Sequence, residues 1–347
     1  MKSNGALTKI LIFAVFFLVS LGVLALASGL FNTASEYYNG NISLSTASGA
    51  YSASGTTVSP YASCEYHTEN ANPSEQTCPY YYYNHECPYD TAPPEYILIE
   101  MTPYDIFRGN LILVNKEHGF DPEFVPELVY VIDHVTPAFR ASRNDIQLAE
   151  SIIEPLVQMM DAYYVAIGTN AVSVRSGFRS LSRQMEILND HISRMGAAEA
   201  RRWAAEPGHS EHHAGLALDF GFYQDGVLQT FLGVGRTAWF AQNSYNFGFI
   251  VRYPYEGQHI TQVAYEPWHF RYVGLPHSYF INQKGMVFED YLYFLMGFDY
   301  SEPFVATFGD YEYEIFFTKD MTISVPYGSY FDISGNNING FIVTIRR

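Results

Sequence analysis

Two short segments constrain this chain more than any other part of it. One is His-Ser-Glu-His-His-Ala-Gly-Leu-Ala-Leu-Asp at residues 209–219, and the other is Glu-Pro-Trp-His-Phe at residues 266–270. A catalytic zinc site needs about three protein ligands, drawn from imidazole and carboxylate groups, and one open position for water. His212, Asp219 and His269 meet that requirement, so the two segments together predict a zinc hydrolase.

The residues around these ligands support the prediction. A single histidine among the 11 in this chain is ordinarily a packing or surface group without a metal. Asp219 is unusual because it ends an apolar run at 216–218 that predicts a buried strand. Burying an unpaired carboxylate is costly, so a cation or a firm set of hydrogen bonds is expected beside it. Glu266 lies three residues before His269 and is the candidate general base.

Five blocks of this sequence follow one another between roughly residues 109 and 295. The blocks are Gly-Asn-Leu-Ile-Leu-Val-Asn at 109–115, Ser-Gly-Phe-Arg-Ser at 176–180 followed by Gln184, Pro-Gly-His-Ser-Glu-His at 207–212, Gly-Phe-Ile-Val-Arg-Tyr-Pro at 248–254, and Glu-Pro-Trp-His-Phe-Arg-Tyr-Val-Gly at 266–274. In this order they resemble the zinc D-alanyl-D-alanine carboxypeptidases of the VanY type, which trim the stem peptides of bacterial peptidoglycan. Five blocks in order are far more specific than one motif alone.

The resemblance implies one zinc ion per chain, bound by His212, Asp219 and His269. It also implies that Glu266 takes the proton of the attacking water and passes it to the leaving amine. A set of two histidines and one carboxylate also suits iron or manganese, so the residues by themselves leave the metal open. No covalent intermediate is required, and the region lacks the Gly-x-Ser-x-Gly and Ser-x-x-Lys motifs of serine-nucleophile enzymes.

The same resemblance implies how a stem peptide ending in D-Ala would be bound. Arg179 matches the arginine that holds the scissile carbonyl or the oxyanion formed from it, and Gln184 and Ser210 match positions that line the substrate cleft. Phe178 stands where the family usually has tyrosine, which leaves the choice between D,D- and L,D-carboxypeptidase activity open. The scaffold also suits an endopeptidase or a catalytically inert wall-binding module. The intact ligands and base argue against the inert module.

The N-terminus predicts export. Lys2 and Lys9 precede an apolar run at residues 10–27, which has the positive flank and the length to enter a membrane with the N-terminus inside. Ala-Leu-Ala at residues 25–27 resembles a signal-peptide cleavage site, but the length of the run favours an uncleaved anchor. Either form of residues 1–30 places the rest of the chain outside the cell, with the catalytic domain extracellular at the cell membrane.

Composition divides the remaining chain and excludes one class of partner. Residues 31–95 are rich in Ser, Thr, Asn, Tyr and Pro and predict a spacer or a disordered linker. That segment contains Cys64, Cys78 and Cys87, of which two could form a disulfide whose pairing cannot be deduced. A net charge of −17 argues against nucleic acid as a partner.

The residue patterns predict an α+β fold for the catalytic domain at residues 96–299, with helices beside a small antiparallel sheet. Asn144 or Asp145 is expected to cap a helix that runs to about Tyr164 and is kinked at Pro155. The segments expected as strands lie at 172–174, 217–222 and 249–253, and those expected as helices at 184–192, 197–205, 237–245 and 288–295. Residues 300–347 predict a small β extension, with strand patterns at 311–315, 321–325 and 341–345 and a turn at 334–337.

Overall fold

The computed structural model describes residues 95–347 of the protein. The apolar run, the Ser/Thr/Tyr/Asn-rich segment and the three cysteines therefore lie outside the described residues. Within residues 95–347, no helix combines the length and the apolar character needed to cross a membrane.

Seven α-helices and fourteen strands, joined by short 3₁₀ turns, make up the described part of the chain. The helices are α1 (Ile153–Ile167), α2 (Leu181–Met195), α3 (Ala197–Ala200), α4 (Ala238–Asn243), α5 (Gln258–Thr261), α6 (His277–Lys284) and α7 (Phe288–Leu295). The strands are β1 (Tyr96–Glu100), β2 (Leu128–Tyr130), β3 (Arg140–Ala141), β4 (Gln147–Ala149), β5 (Val172–Ser176), β6 (Ala217–Gln224), β7 (Val227–Thr230), β8 (Phe249–Val251), β9 (His269–Tyr272), β10 (Phe304–Phe308), β11 (Tyr311–Thr318), β12 (Thr322–Pro326), β13 (Tyr330–Gly335) and β14 (Phe341–Arg346). This mixture confirms the predicted α+β class.

A six-stranded sheet forms the centre of the catalytic region. Its order is β3-β5-β6-β9-β8, with β7 paired to β6, and every pair is antiparallel except β3 with β5. Helix α1 contributes Met159, Met160 and Tyr163 to the main core, where they join Val174 and Phe220 from the sheet. The two middle strands, β6 and β9, are therefore fixed from both their edges and one face.

The start of the first helix differs from the prediction. Residues after Asn144 and Asp145 form strand β4, which pairs with β2, and then a 3₁₀ turn before α1 begins at Ile153. The first apolar residues of this stretch belong to a strand, so the helix begins at Ile153 and not near Asn144 or Asp145 as predicted. Pro155 is the third residue of α1, where its missing N–H removes no hydrogen bond. The predicted kink at Pro155 was therefore wrong, because this proline lies in the first turn of the helix.

The C-terminal extension is a four-stranded antiparallel sheet in the order β10-β11-β14-β13. One face packs against α6 and α7 through a core that includes Ile315 and Ile342. The opposite face packs against the β1–β12 pair through a core that includes Phe316, Val343 and Val325. The predicted C-terminal strands are therefore present, together with β10 and β13, which the residue pattern did not reveal.

The polar residues before β14 tie this sheet to the start of the catalytic region. The Ser334 hydroxyl accepts a hydrogen bond from the Leu111 amide at 2.9 Å. The Asn337 side-chain amide donates to the carbonyl oxygens of Leu113 and Gly119 at 2.6 and 2.9 Å. Ser334 lies within strand β13 and Asn337 follows it, so the predicted turn at 334–337 begins later than expected.

Because both cores cross between the extension and the catalytic region, we expect the extension to contribute directly to stability. Ile342 is fully buried, and replacing it with Ala should lower the free energy of unfolding by about 2–5 kcal/mol. Val305→Ala on β10 is the matched control, because Val305 is 49% exposed and its loss should change stability by about 0.5 kcal/mol or less. Urea unfolding of the two variants measures the difference. An equally small effect at Ile342 would contradict the shared core.

Candidate active site

The candidate metal ligands are brought together by the pairing of β6 with β9. Asp219 on β6 lies directly opposite His269 on β9. His212 lies on a 3₁₀ turn (Glu211–Ala214) that Gly215 ends in the left-handed conformation at φ 69°. A Cβ at Gly215 would lie 2.9 Å from the Ala149 amide nitrogen, so only glycine fits this turn into β6. One ligand atom from each of the three residues lies within 4.8 Å of the other two, and all three residues are buried.

His212 has the tautomer that a metal ligand needs. Its Nδ1 lies 2.6 Å from the Gly177 carbonyl oxygen, so Nδ1 carries the proton and donates it. Its Nε2 is buried, has no hydrogen-bond partner among the described residues and lies 3.5 Å from Asp219 Oδ2. A Cβ at Gly177 would clash with the Gln147 carbonyl oxygen, which explains the glycine at this point of the Ser-Gly-Phe-Arg block. The free lone pair of His212 Nε2 therefore faces the carboxylate across a gap that suits a metal ion.

Charges around the three residues also favour a cation. Burial and the nearby Arg179 guanidinium lower the pKa of His212 to about 4, so its ring is neutral. Burial would raise the pKa of Asp219, but the Arg179 guanidinium and the hydrogen bond from His269 hold it well below its usual range, so the carboxylate is ionised. Burial would lower the pKa of His269, but its hydrogen bond to Asp219 and the nearby Glu211 raise it to about 9. A metal ion would replace the proton that His269 Nδ1 shares with Asp219 Oδ1 across 2.9 Å.

Glu266 provides a second carboxylate at the edge of this cluster. Its Oε2 lies 4.0 Å from His269 Nδ1, and the turn between them is closed by a hydrogen bond from the His269 amide to the Glu266 carbonyl at 3.1 Å. Glu266 is only 7% exposed. Burial raises its pKa to about 8, with the Asp219 carboxylate adding to the effect. A carboxylate with this pKa is suited to accept a proton near neutral pH.

Arg179 reaches the same cluster from the loop after β5. Its Nη2 donates to Asp219 Oδ2, its Nε donates to the Ser176 hydroxyl at 3.1 Å, and its Nη1 donates to Gln184 Oε1 at 3.4 Å. The Gln184 amide nitrogen in turn donates to the Ala205 carbonyl at 2.8 Å. Gln184 therefore orients Arg179, in addition to the substrate contact predicted for it.

Ser210 begins the turn that carries His212. It is 5% exposed, and its hydroxyl makes no side-chain hydrogen bond to any residue between 95 and 347. The hydroxyl is therefore available for the predicted contact with a bound peptide.

The two histidines that flank the ligand fasten loops together. His213 Nδ1 donates to the Arg179 carbonyl at 2.7 Å, and its Nε2 accepts a hydrogen bond from the Gly208 amide at 3.0 Å. His209 Nδ1 donates to the Asn115 carbonyl at 2.8 Å. The bonds of His213 join the segments around Arg179 and His212, and the bond of His209 joins the same turn to the segment around Asn115, so both histidines have a structural role.

The structure also reveals four buried charged residues to which sequence reasoning gave no role. Glu211, the neighbour of His212, is surrounded by two arginines, and one of these also binds a glutamate of α7. The four residues are Glu211, Arg252, Arg271 and Glu289. For Glu211, Arg252 and Arg271, the signal in the sequence was a charged residue inside one of the five blocks, whereas Glu289 lies outside them.

Comparison with known proteins gives consistent results. The family model for VanY, D-alanyl-D-alanine carboxypeptidase, matches residues 145–275. A D-alanyl-D-alanine carboxypeptidase of Enterococcus faecium is 32% identical over 251 residues, which cover 71% of this chain and 78% of the relative. The bifunctional D-Ala-D-Ala dipeptidase and D-Ala-D-Ala carboxypeptidase VanXYC of Enterococcus gallinarum is 39% identical over 187 residues, which cover 53% of this chain and 93% of the relative.

A solved structure supports the same placement. The crystal structure of the vancomycin resistance D,D-dipeptidase VanXYg, in complex with a D-Ala-D-Ala phosphinate analog, aligns with a TM-score of 0.65 and 30% identity. The alignment covers 73% of this chain and 99% of the other. With the sequence blocks, the α+β fold and relatives matched over most of their length, the chain belongs to the VanY family of D-alanyl-D-alanine carboxypeptidases.

Proposed function

We propose that this protein is an exported, zinc-dependent metallocarboxypeptidase that removes the C-terminal D-Ala from peptidoglycan stem peptides. The observation that carries the proposal is the buried cluster of His212, Asp219 and His269, with the carboxylate of Glu266 beside it. Two imidazoles and one carboxylate form the ligand set of a catalytic zinc site that keeps one position open. The D-Ala-D-Ala carboxypeptidase activity of the Enterococcus relatives supports this choice of substrate.

The residues have separate roles in this proposal. A zinc ion held by the three ligands would supply Lewis acidity, which would polarise the scissile carbonyl and lower the pKa of water. Glu266 accepts the proton of the attacking water and delivers it to the leaving amine. Its burial suits this role, because a carboxylate with a raised pKa exchanges protons more readily near neutral pH than an exposed one.

Arg179 is placed to stabilise the oxyanion. A guanidinium has five N–H donors, of which three are directed at Ser176, Gln184 and Asp219. One N–H on each terminal nitrogen therefore remains for the carbonyl oxygen as it becomes negative. The bonds to Ser176 and Gln184 hold the guanidinium in place, so little reorganisation is needed when the charge develops.

A second candidate activity is hydrolysis of the D-Ala-D-Ala dipeptide itself. It is favoured by the likeness to the D,D-dipeptidase VanXYg over 73% of this chain and by the bifunctional relative VanXYC. Removal of D-Ala from a tetrapeptide, the L,D-carboxypeptidase activity, and endopeptidase activity also fit the same scaffold. The D,D-carboxypeptidase, the dipeptidase and the L,D-carboxypeptidase activities act on the pentapeptide, the free dipeptide and the tetrapeptide, respectively. Assays with these three defined substrates therefore distinguish them.

Export is a proposal that rests on sequence. The apolar run at residues 10–27, flanked by Lys2 and Lys9, has the character of an uncleaved membrane anchor. Stem peptides of the wall lie outside the cytoplasm, so an anchored enzyme with its catalytic domain outside the cell would meet its substrate.

The substrate is tested with the purified chain from residue 95 and a panel of stem peptides. We expect release of one D-Ala from the pentapeptide, loss of this activity with a chelator and its recovery on adding zinc. The D-Ala-D-Ala dipeptide and the tetrapeptide are run in parallel, with free D-Ala measured by an amino acid oxidase assay. Cleavage of the tetrapeptide with an untouched pentapeptide would contradict the D,D-specificity.

The separate roles of base and ligand are tested by two substitutions. Glu266→Ala should keep the metal but lower kcat by about 10²–10⁴-fold, because the proton acceptor is lost. His269→Ala should lose the metal, because one of three protein ligands is removed. Metal content by atomic emission and D-Ala release are measured on the same samples. Equal loss of metal from both variants would show that Glu266 is a ligand and not the base.

Export is tested with alkaline phosphatase, which is active only outside the reducing cytoplasm. A fusion of residues 1–95 to this reporter in bacterial cells should be active and remain with the membrane fraction. The same fusion without residues 10–27 is the control and should be inactive. Activity in the culture medium instead would indicate cleavage after the apolar run.

A further inference from the structure

A buried cluster of four charged side chains lies directly behind the metal ligands. Glu211 Oε1 accepts hydrogen bonds from Arg252 Nε at 2.7 Å and from Arg271 Nη1 at 3.0 Å. Arg252 also donates to both carboxylate oxygens of Glu289 on α7, at 2.6 and 2.8 Å. Each of the four residues is 5% exposed or less. Two positive and two negative charges balance, so the cluster can exist inside the protein without a net charge.

One oxygen of this cluster is not used by the arginines. Glu211 Oε2 is buried and has no hydrogen-bond partner among the described residues. His269 Nε2 is also buried without a partner in that part of the chain, and the two atoms lie 3.6 Å apart. A buried polar atom without a partner costs about 1–3 kcal/mol. A movement of a few tenths of an ångström would satisfy both atoms at once, because one is an acceptor and the other is a possible N–H donor.

We propose that Glu211 is a positioning residue for the metal site: it accepts a hydrogen bond from His269 Nε2 and so directs the Nδ1 lone pair of His269 toward the metal. The inference rests on the metallopeptidase function proposed above. An imidazole that donates from one nitrogen presents the other as a ligand, and the orientation of its ring is then fixed. His269 Nδ1 already faces Asp219, so with Nε2 kept protonated by Glu211, the nitrogen nearest the other ligands is the one from which a metal ion would displace the proton.

The arginines make this contact rigid. Arg271 donates to the backbone carbonyls of Asn110 and Ile112 at 3.0 and 2.9 Å, and Arg252 is held by Glu289. With Oε1 of Glu211 held by both guanidinium groups, rotation of the carboxylate is restricted, and Oε2 has one observed direction. That direction is toward His269.

Glutamine at position 211 would reverse the arrangement. A glutamine side chain has one oxygen and one NH₂ group, and the two arginines offer only donors, so the oxygen must face them. The NH₂ group then faces His269 Nε2 and requires that nitrogen to accept. The proton of His269 moves to Nδ1, which is the nitrogen that the metal needs.

Glu289→Gln provides a matched control. It removes one negative charge from the same cluster and loosens the same arginine, but Glu289 is not among the residues that face His269. A purely structural effect of charge loss should therefore appear in both variants. An effect through the His269 ring should appear only with Glu211→Gln.

The experiment compares the affinity of the parent chain, Glu211→Gln and Glu289→Gln for zinc, by competition with a chelating dye. We expect Glu211→Gln to bind zinc about 10–100-fold more weakly than the parent. Glu289→Gln should stay within about twofold of the parent, since it keeps the Glu211 to His269 contact. Equal affinity in the parent and Glu211→Gln, or an equal loss in the two variants, would overturn the inference.

A second measurement does not depend on how well the variants fold. In the zinc-loaded parent, the ¹⁵N chemical shifts of His269 should show a protonated Nε2 and a metal-bound Nδ1. A deprotonated Nε2 would overturn the role of Glu211. Zinc binding and D-Ala release by the parent alone decide the proposed function, so a parent that is active while Glu211→Gln binds zinc normally would refute only this inference.

Discussion

The whole site depends on the antiparallel register of β6 and β9, which places Asp219 opposite His269. Side chains alternate between the two faces of a strand, so a slip of one residue would turn one of these ligands away from the other. The register is fixed by burial, because Leu218 and Phe270 at the adjacent pair are both fully buried. Two features hold His212 beside this pair: its Nδ1 donates to the Gly177 carbonyl, and the turn that carries it leads through Gly215 into β6. They position the third residue of a site whose other two residues are already placed by the sheet.

Two carboxylates in this small volume are given opposite character by their surroundings. Asp219 lies beside the Arg179 guanidinium and accepts a hydrogen bond from His269, and both keep it ionised and suited to bind a cation. Glu266 has no cation in hydrogen-bonding contact within residues 95–347, so burial dominates and raises its pKa to about 8. When two acids in one site have pKa values displaced in opposite directions, they can serve different functions. Packing and charge therefore favour the proposed division into ligand and proton acceptor, independently of motif spacing.

The parts that sequence could predict are those encoded by local pattern. The spacing of His212, Asp219 and His269 indicated a metal site, because two histidines and an aspartate at the end of an apolar run form the usual ligand set of a metal ion. The boundary of α1 was missed because apolar residues before Ile153 satisfy a strand as well as a helix. The cluster around Glu211 was missed because its partners lie far along the chain, with Arg252 at a separation of 41 residues. Such pairing depends on tertiary structure, and no local pattern specifies it.

The C-terminal sheet shows why the catalytic region cannot be considered apart from it. Asn337 binds the carbonyls of Leu113 and Gly119, and the chain continues from there to Phe120, whose amide donates to the Gly208 carbonyl at 2.6 Å. The Gly208 amide in turn donates to His213, which lies on the turn that carries the candidate ligand His212. Each step is a hydrogen bond to backbone in a buried or half-buried setting, where losing a partner is costly. The extension therefore supports the loop beside the candidate ligands as well as sharing a hydrophobic core with the catalytic region.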